Sequence, residues 1–107
     1  MSEPAYPPEY TATLESWWGE GFLSPGGAQE VHEIFLDITV SGKAVLDIGC
    51  GTGGPALVIA ADLGAGRVTG VDIEPYPIEK AQQLAVDAGY ADKLDLQLIE
   101  PGVLPFP

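Results

Sequence analysis

The chain has 107 residues, enough for one domain of ordinary size, and 46% of them are hydrophobic, which permits a packed core and speaks against wholesale disorder. Sixteen acids stand against four bases, Lys43, Arg67, Lys80 and Lys93, and the net charge of −12 speaks against nucleic acid or an anionic membrane as the main partner. The one cysteine, Cys50, excludes an internal disulfide and a cysteine-cluster metal site. No charged-then-apolar leader and no run of about 18 apolar residues occurs, so a soluble, cytoplasmic protein is expected. The acidity suits a cationic ligand, although solubility alone also accounts for it.

Residues 1–9 carry three prolines and no hydrophobic period, and read as an extended arm. "YTATLESWWGEG" predicts a short helix ended by Gly19 and Gly21. In the next segment Ser24 suits an N-cap and Pro25 the first helical position. Val31, Ile34, Phe35 and Ile38 then repeat at helical spacing and predict a buried stripe, stopped by Gly42. "KAVLDI" predicts a strand over 43–48. A helix follows, with Pro55 in its first turn and Gly64 as its C-terminal cap. "RVTGV" predicts a second strand over 67–71. The next helix carries Ile78, Ala81, Ala85 and Ala88 on one side and is closed by Gly89, and "LDLQLI" predicts a third strand over 94–99.

Strands alternating with helices of this length predict parallel βαβ units with right-handed crossovers. The expected fold is α/β, a Rossmann-like doubly wound parallel sheet with N-terminal helices, its first three strands ordered 3-2-1. Strand one is the natural centre of such a sheet, yet nothing follows strand three except "PGVLPFP". The expectation is therefore a sheet truncated after its third strand. Self-association through the uncovered apolar edge, as a homodimer, is the expected consequence.

"AVLDIGCGTGGPA" places four glycines within six residues, after a strand and before a helix. Gly49, Gly51 and Gly54 fit the dinucleotide spacing, and Asp72 lies 21 residues past Gly51, where a carboxylate can accept two ribose hydroxyls. These features alone fit NAD and several other cofactors. Two details shift the balance. Asp47 sits two residues before the first glycine, where a pyrophosphate would meet it. At about 5 Å and an effective dielectric near 20, two like charges cost roughly 3 kcal/mol. No lysine or arginine follows the glycines, so the triphosphate-binding loop is absent. S-adenosylmethionine brings a ribose for Asp72, no phosphate, and cationic sulfonium and ammonium groups.

Here "VLDIGCGTGG" resembles motif I of class I S-adenosylmethionine-dependent methyltransferases, "VTGVDIEP" resembles their acidic loop after the second strand, and "LPFP" is similar to the stretch after their third. Upstream, "WWGEGFLSPGG" is similar to the region before motif I in phosphoethanolamine-type small-molecule methyltransferases. The resemblance implies two parts: an arm and helices over 1–42 that close over the cofactor, and the first half of the Rossmann-like domain over 43–107. It implies that Gly49, Gly51 and Gly53 let the backbone approach S-adenosylmethionine, and that Asp47 orients the methionine ammonium. Asp72 would bind the ribose diol and Ile73 lie against the adenine, while Leu23 and Ser24 would touch the methionine or adenosine part. Glu100 is the acid nearest to the family's adenine contact, which is left open.

Duller accounts stand beside these. The glycines serve any tight turn, Asp47 can face a helix dipole, and Asp72 can cap the helix after it. Cys50 reads as a small turn residue, His32 as packing, and Trp17 and Trp18 as core or as a lid facing a cation. The implied reaction is direct methyl transfer to a small-molecule acceptor, with the catalytic residues of the acceptor side unidentified. The competing readings are a nicotinamide-dependent oxidoreductase domain and a non-catalytic interaction module.

Overall fold

The computed structural model describes residues 8–23 and 26–102. The predicted N-cap at Ser24, the proline at 25 and the "LPFP" stretch lie outside the described residues. In chain order the elements are α1 (Pro8–Trp18), α2 (Gly27–Ile34), β1 (Ala44–Ile48), α3 (Gly54–Ala61), β2 (Arg67–Asp72), α4 (Pro75–Asp87) and β3 (Leu94–Leu98). The three strands form one parallel sheet in the order β1-β2-β3, the predicted succession with β2 in the middle. Val45, Val68 and Leu94 align across it, as do Asp47, Gly70 and Leu96.

The pleat decides which residues form the core. On one face Val68 and Leu94 are buried beside half-buried Val45, and Leu96 is buried one step further along. Ala56, Ile59, Ile78, Ala81 and Ala85 close over them from α3 and α4. Fully burying a side chain such as Val68 contributes about 1.5–3 kcal/mol. Alanine on α4 is what lets that helix lie close to the sheet. Ala88, predicted to share this side, is instead the exposed C-cap residue, and Gly89 takes the left-handed conformation with φ +82° that ends the helix. The opposite face carries exposed Leu46 and Ile48.

Two helices depart from the sequence reading. The first begins at Pro8, inside the stretch expected to be an arm, because proline is tolerated in a first helical turn. The second ends at Ile34, before the predicted stripe is complete. Beyond it the chain tightens: Leu36 N–H donates to Glu33 O and Ile38 N–H to Phe35 O, both three residues back. Leaving the helix early lets Val40 enter the core and Ser41 bridge to Ala65. Of the stripe, Val31 is buried and Phe35 half-buried, whereas Ile34 is 59% exposed and Ile38 55%.

Candidate functional site

The site is built at the C-terminal ends of β1 and β2. Gly49 and Cys50 both donate their N–H to Val71 O, at 2.7 and 3.0 Å, which bends the chain out of β1 and across the end of β2. Gly49, Gly51 and Gly53 all have positive φ, at +77°, +55° and +88°. Asp72 then ties the turn down. Its Oδ2 accepts the Gly51 N–H at 2.8 Å, and its Oδ1 accepts the Glu74 N–H at 3.0 Å, ahead of α4. An ionised carboxylate has about four lone-pair sites, so two remain for a ligand's hydroxyls. The capping account of Asp72 is thus partly realised, since Glu74 is the N-cap residue of α4.

A cleft of about 210 Å³ opens over this turn, lined by Leu23, Gly49, Gly51, Thr52, Asp72 and Pro77 among others. A second hollow of about 240 Å³ shares Pro55 with it and is lined by Phe22, Glu30, Val31, Phe35, Val45 and Asp47 among others. Neither lining includes a lysine or an arginine. Asp47 Oδ2 is buried and has no hydrogen-bond partner, and so is Thr52 Oγ1 in a residue only 1% exposed. Burial, with the negative charge of Asp72 second, pushes the Asp47 carboxyl above its ordinary range. Orphaned buried polar atoms are uncommon and costly, and these two flank one turn.

The glycines divide into two pairs with different reasons. A Cβ on Gly49 would meet nothing, and one on Gly51 would press at 3.1 Å on Leu23 Cδ1, so these two border open space and the cleft wall. A Cβ on Gly53 would lie 2.9 Å from the Ala81 Cβ, which places this glycine against α4, outside the cleft lining. Gly54 is the point where the 19–23 segment lands. Its N–H donates to Gly21 O at 2.7 Å, and a Cβ there would stand 2.5 Å from that oxygen. Gly21 supplies the acceptor that the first turn of α3 lacks.

The remaining candidates separate clearly. Leu23 lines the cleft, and Ser24 lies outside the described residues. Ile73 is half exposed and Glu100 is exposed, and neither lines the cleft. Cys50 is buried among the turn and core residues, and burial, followed by the charges of Asp47 and Asp72, pushes its thiol up to about 12. Such a thiol is no nucleophile. His32 Nε2 lies 2.9 Å from Asp62 Oδ2 in an exposed pair joining the ends of α2 and α3. Trp17 is exposed and Trp18 borderline, and neither lines the cleft or the hollow. The sequence reading missed Glu15, Gly21, Gly54 and Lys80 as a connected set, because residues 15 and 80 share no local pattern. A weak signal existed in Gly21, set directly before the apolar pair Phe22-Leu23.

Among the described residues no helix is long and apolar enough to cross a membrane, and no group of three or more His, Cys, Asp or Glu is placed to hold a metal. The chain is 46% identical over 61 residues to the ribosomal protein L11 methyltransferase of Alteromonas mediterranea, matching 57% of this chain and 20% of that protein. It thus spans about one fifth of the length of the curated relatives it matches. Among solved structures, Haemonchus contortus phosphoethanolamine N-methyltransferase 2, in complex with phosphomonomethylethanolamine and S-adenosylhomocysteine, superposes with a TM-score of 0.76 at 27% identity. That match covers 84% of this chain and 21% of the other. The [4+2]-cyclase SpnF superposes with a TM-score of 0.62 at 31% identity, over 75% of this chain and 28% of the cyclase. A shared fold therefore does not by itself fix the chemistry. Residues 45–107 match the family model of the methyltransferase domain, and with well over half its length so matched the chain belongs to that family.

Proposed function

We propose that the chain binds S-adenosylmethionine across the glycine turn, its ribose in the cleft beside Asp72 and its ammonium toward the adjoining hollow that Asp47 lines, and serves methyl transfer to a small-molecule acceptor. The observation that carries this reading is the buried, unpartnered Oδ2 of Asp47. A carboxylate held in that state is offset by a cation, and S-adenosylmethionine brings an ammonium and carries no phosphate for Asp47 to repel. The linings without lysine or arginine argue against a nucleoside triphosphate, and the repulsion of a pyrophosphate by Asp47 argues against a nicotinamide dinucleotide. The bound S-adenosylhomocysteine of the Haemonchus enzyme supports the assignment.

The residues fit this cofactor. Asp47 would take the ammonium, and the free lone pairs of Asp72 the ribose diol. Gly49 and Gly51 leave room for the approach, and Leu23 closes the far wall. Ser24 and Ile73 complete the proposed set by the family resemblance. Residues 1–42 are then the part that closes over the cofactor, and 43–107 the half of the domain that holds it. When bound, the cofactor supplies an electrophilic methyl group on a sulfonium. The chain's contribution is to orient the cofactor and keep it from water, and alignment of this kind is worth up to roughly 7–11 kcal/mol. The resemblance of the upstream sequence to phosphoethanolamine-type methyltransferases, with the phosphomonomethylethanolamine held by the Haemonchus enzyme, favours a small acceptor, and a cytoplasmic setting belongs to the same proposal. The ribosomal-protein relatives favour a protein acceptor as the second reading.

Calorimetric titration tests the cofactor. S-adenosylhomocysteine should bind and NADH should not, and Asp47→Asn should weaken S-adenosylhomocysteine about tenfold or more. Binding of NADH with no response to S-adenosylhomocysteine would reverse the assignment. Binding of neither, by a stable dimer, would favour an interaction module.

A further inference from the structure

We propose that Glu15 and Lys80 form a clamp that holds the 19–23 segment on the N-terminus of α3, and so act as positioning residues for the cleft. The part of this that concerns ligand affinity rests on the cofactor reading above. Glu15 lies on α1 with its side chain only 8% exposed. Its Oε1 pairs with Nζ of Lys80 on α4, and its Oε2 accepts the Gly21 N–H at 2.6 Å. Gly21 O in turn accepts the Gly54 N–H at 2.7 Å. One carboxylate therefore joins α1, the 19–23 segment and α4, and through Gly21 reaches the first residue of α3.

The packing leaves this segment one narrow seat. A Cβ on Gly21 would stand 2.8 Å from both Gly54 Cα and Leu84 Cδ2, so Gly21 lies wedged between α3 and α4. Two residues later Leu23 forms the cleft wall opposite Gly51. Releasing Gly21 thus moves the wall of the cleft. A carboxylate suits the position because each oxygen faces a donor. Glutamine would turn an NH2 toward one of the two donors, and removing Lys80 would leave a buried charge with a single hydrogen bond. Changing both residues together removes both conflicts: a glutamine oxygen still accepts from Gly21, and no ammonium faces its NH2.

The test uses the full chain labelled with 15N-glycine, reading amide exchange at Gly54 against Gly70 in the middle of β2, together with S-adenosylhomocysteine affinity. Glu15→Ala should speed exchange at Gly54 about tenfold or more, leave Gly70 unchanged and weaken the affinity about tenfold. The pair Glu15→Gln with Lys80→Met should bring both readings back to within about threefold of the unmutated chain. Unchanged exchange at Gly54 overturns the clamp, as does equal acceleration at Gly54 and Gly70, which marks general destabilisation. Faster Gly54 exchange with unchanged affinity overturns the positioning role. If Glu15→Ala does not fold, Lys80→Met carries the same comparison. If the unmutated chain binds no S-adenosylhomocysteine, the cofactor reading falls, and the Gly54 comparison still decides the clamp.

Discussion

Replacing Gly53 by alanine asks whether this motif glycine serves the cleft or the packing beneath it. The backbone there has φ +88°, and an added Cβ would lie 2.9 Å from Ala81 Cβ and 3.2 Å from Ala81 Cα. Holding an L-residue in the left-handed region costs about 1–2 kcal/mol. Forcing a methyl into a filled contact costs about 1–3 kcal/mol more, so Gly53→Ala should destabilise the chain by about 2–5 kcal/mol. Ala81→Gly on its own loses about 1 kcal/mol of helix propensity and about 0.8 kcal/mol of methyl burial. In the double variant the new methyl occupies the space that Ala81 gives up, and the steric part largely disappears. The two changes should therefore couple favourably by about 1–3 kcal/mol. Urea unfolding of the four proteins, followed by far-ultraviolet circular dichroism, measures this. Additivity within about 0.5 kcal/mol would refute the reasoning, because the methyl at 53 would then not be meeting Ala81.

Asp47→Asn should raise stability at neutral pH. Asp47 is held above its ordinary range by burial and by Asp72, so the folded state binds its proton more readily than the unfolded one, and stability falls as pH rises from the ordinary Asp range through the raised value. Urea midpoints of the unmutated chain should show this slope and the asparagine variant should lose it; a variant less stable at pH 7 than the unmutated chain would contradict the assignment. Cys50, with its thiol pushed up to about 12 from 9.0, should react with iodoacetamide at pH 8 about a thousandfold more slowly than a free thiol, and at the ordinary rate in denaturant.

The strands, the helices between them and their order were legible because each depends on local signals: apolar runs of strand length, a proline early in α3 and α4, and a glycine after each helix. The spacing of 21 residues between Gly51 and Asp72 pointed only to a ribose contact, and the hydrogen bond by which Asp72 ties down Gly51 came from the fold. Less accessible was the reason behind each glycine. A glycine beside a ligand and one beside another helix look the same in a sequence, and only the positions of Ala81 and Gly21 separate Gly53 and Gly54 from Gly49 and Gly51. The end of α2 was misjudged for a related reason. Ile34 and Ile38 have helical spacing, but the demand of Val40 for the core and of Ser41 for its bridge to Ala65 outweighs that local pattern. Glu15 was invisible, since its partners come from residues 21 and 80, and only the fold brings them together.

Two carboxylates at one turn invite a common explanation, yet their surroundings differ. Asp72 spends both oxygens on backbone N–H groups that shape the turn, so a purely structural role accounts for its presence and any ligand contact comes in addition. Asp47 keeps a buried oxygen without a partner, and burial holds its carboxyl above the ordinary range, the direction expected of a charge that opposes folding at neutral pH. An asparagine or an apolar residue would serve the fold better at that position. If Asp47→Asn raises stability while lowering affinity for S-adenosylhomocysteine, the charge is kept for the ligand and against the fold. Stability and binding that move in the same direction would instead make Asp47 a part of the scaffold, and the cationic-ligand argument would lose its foundation.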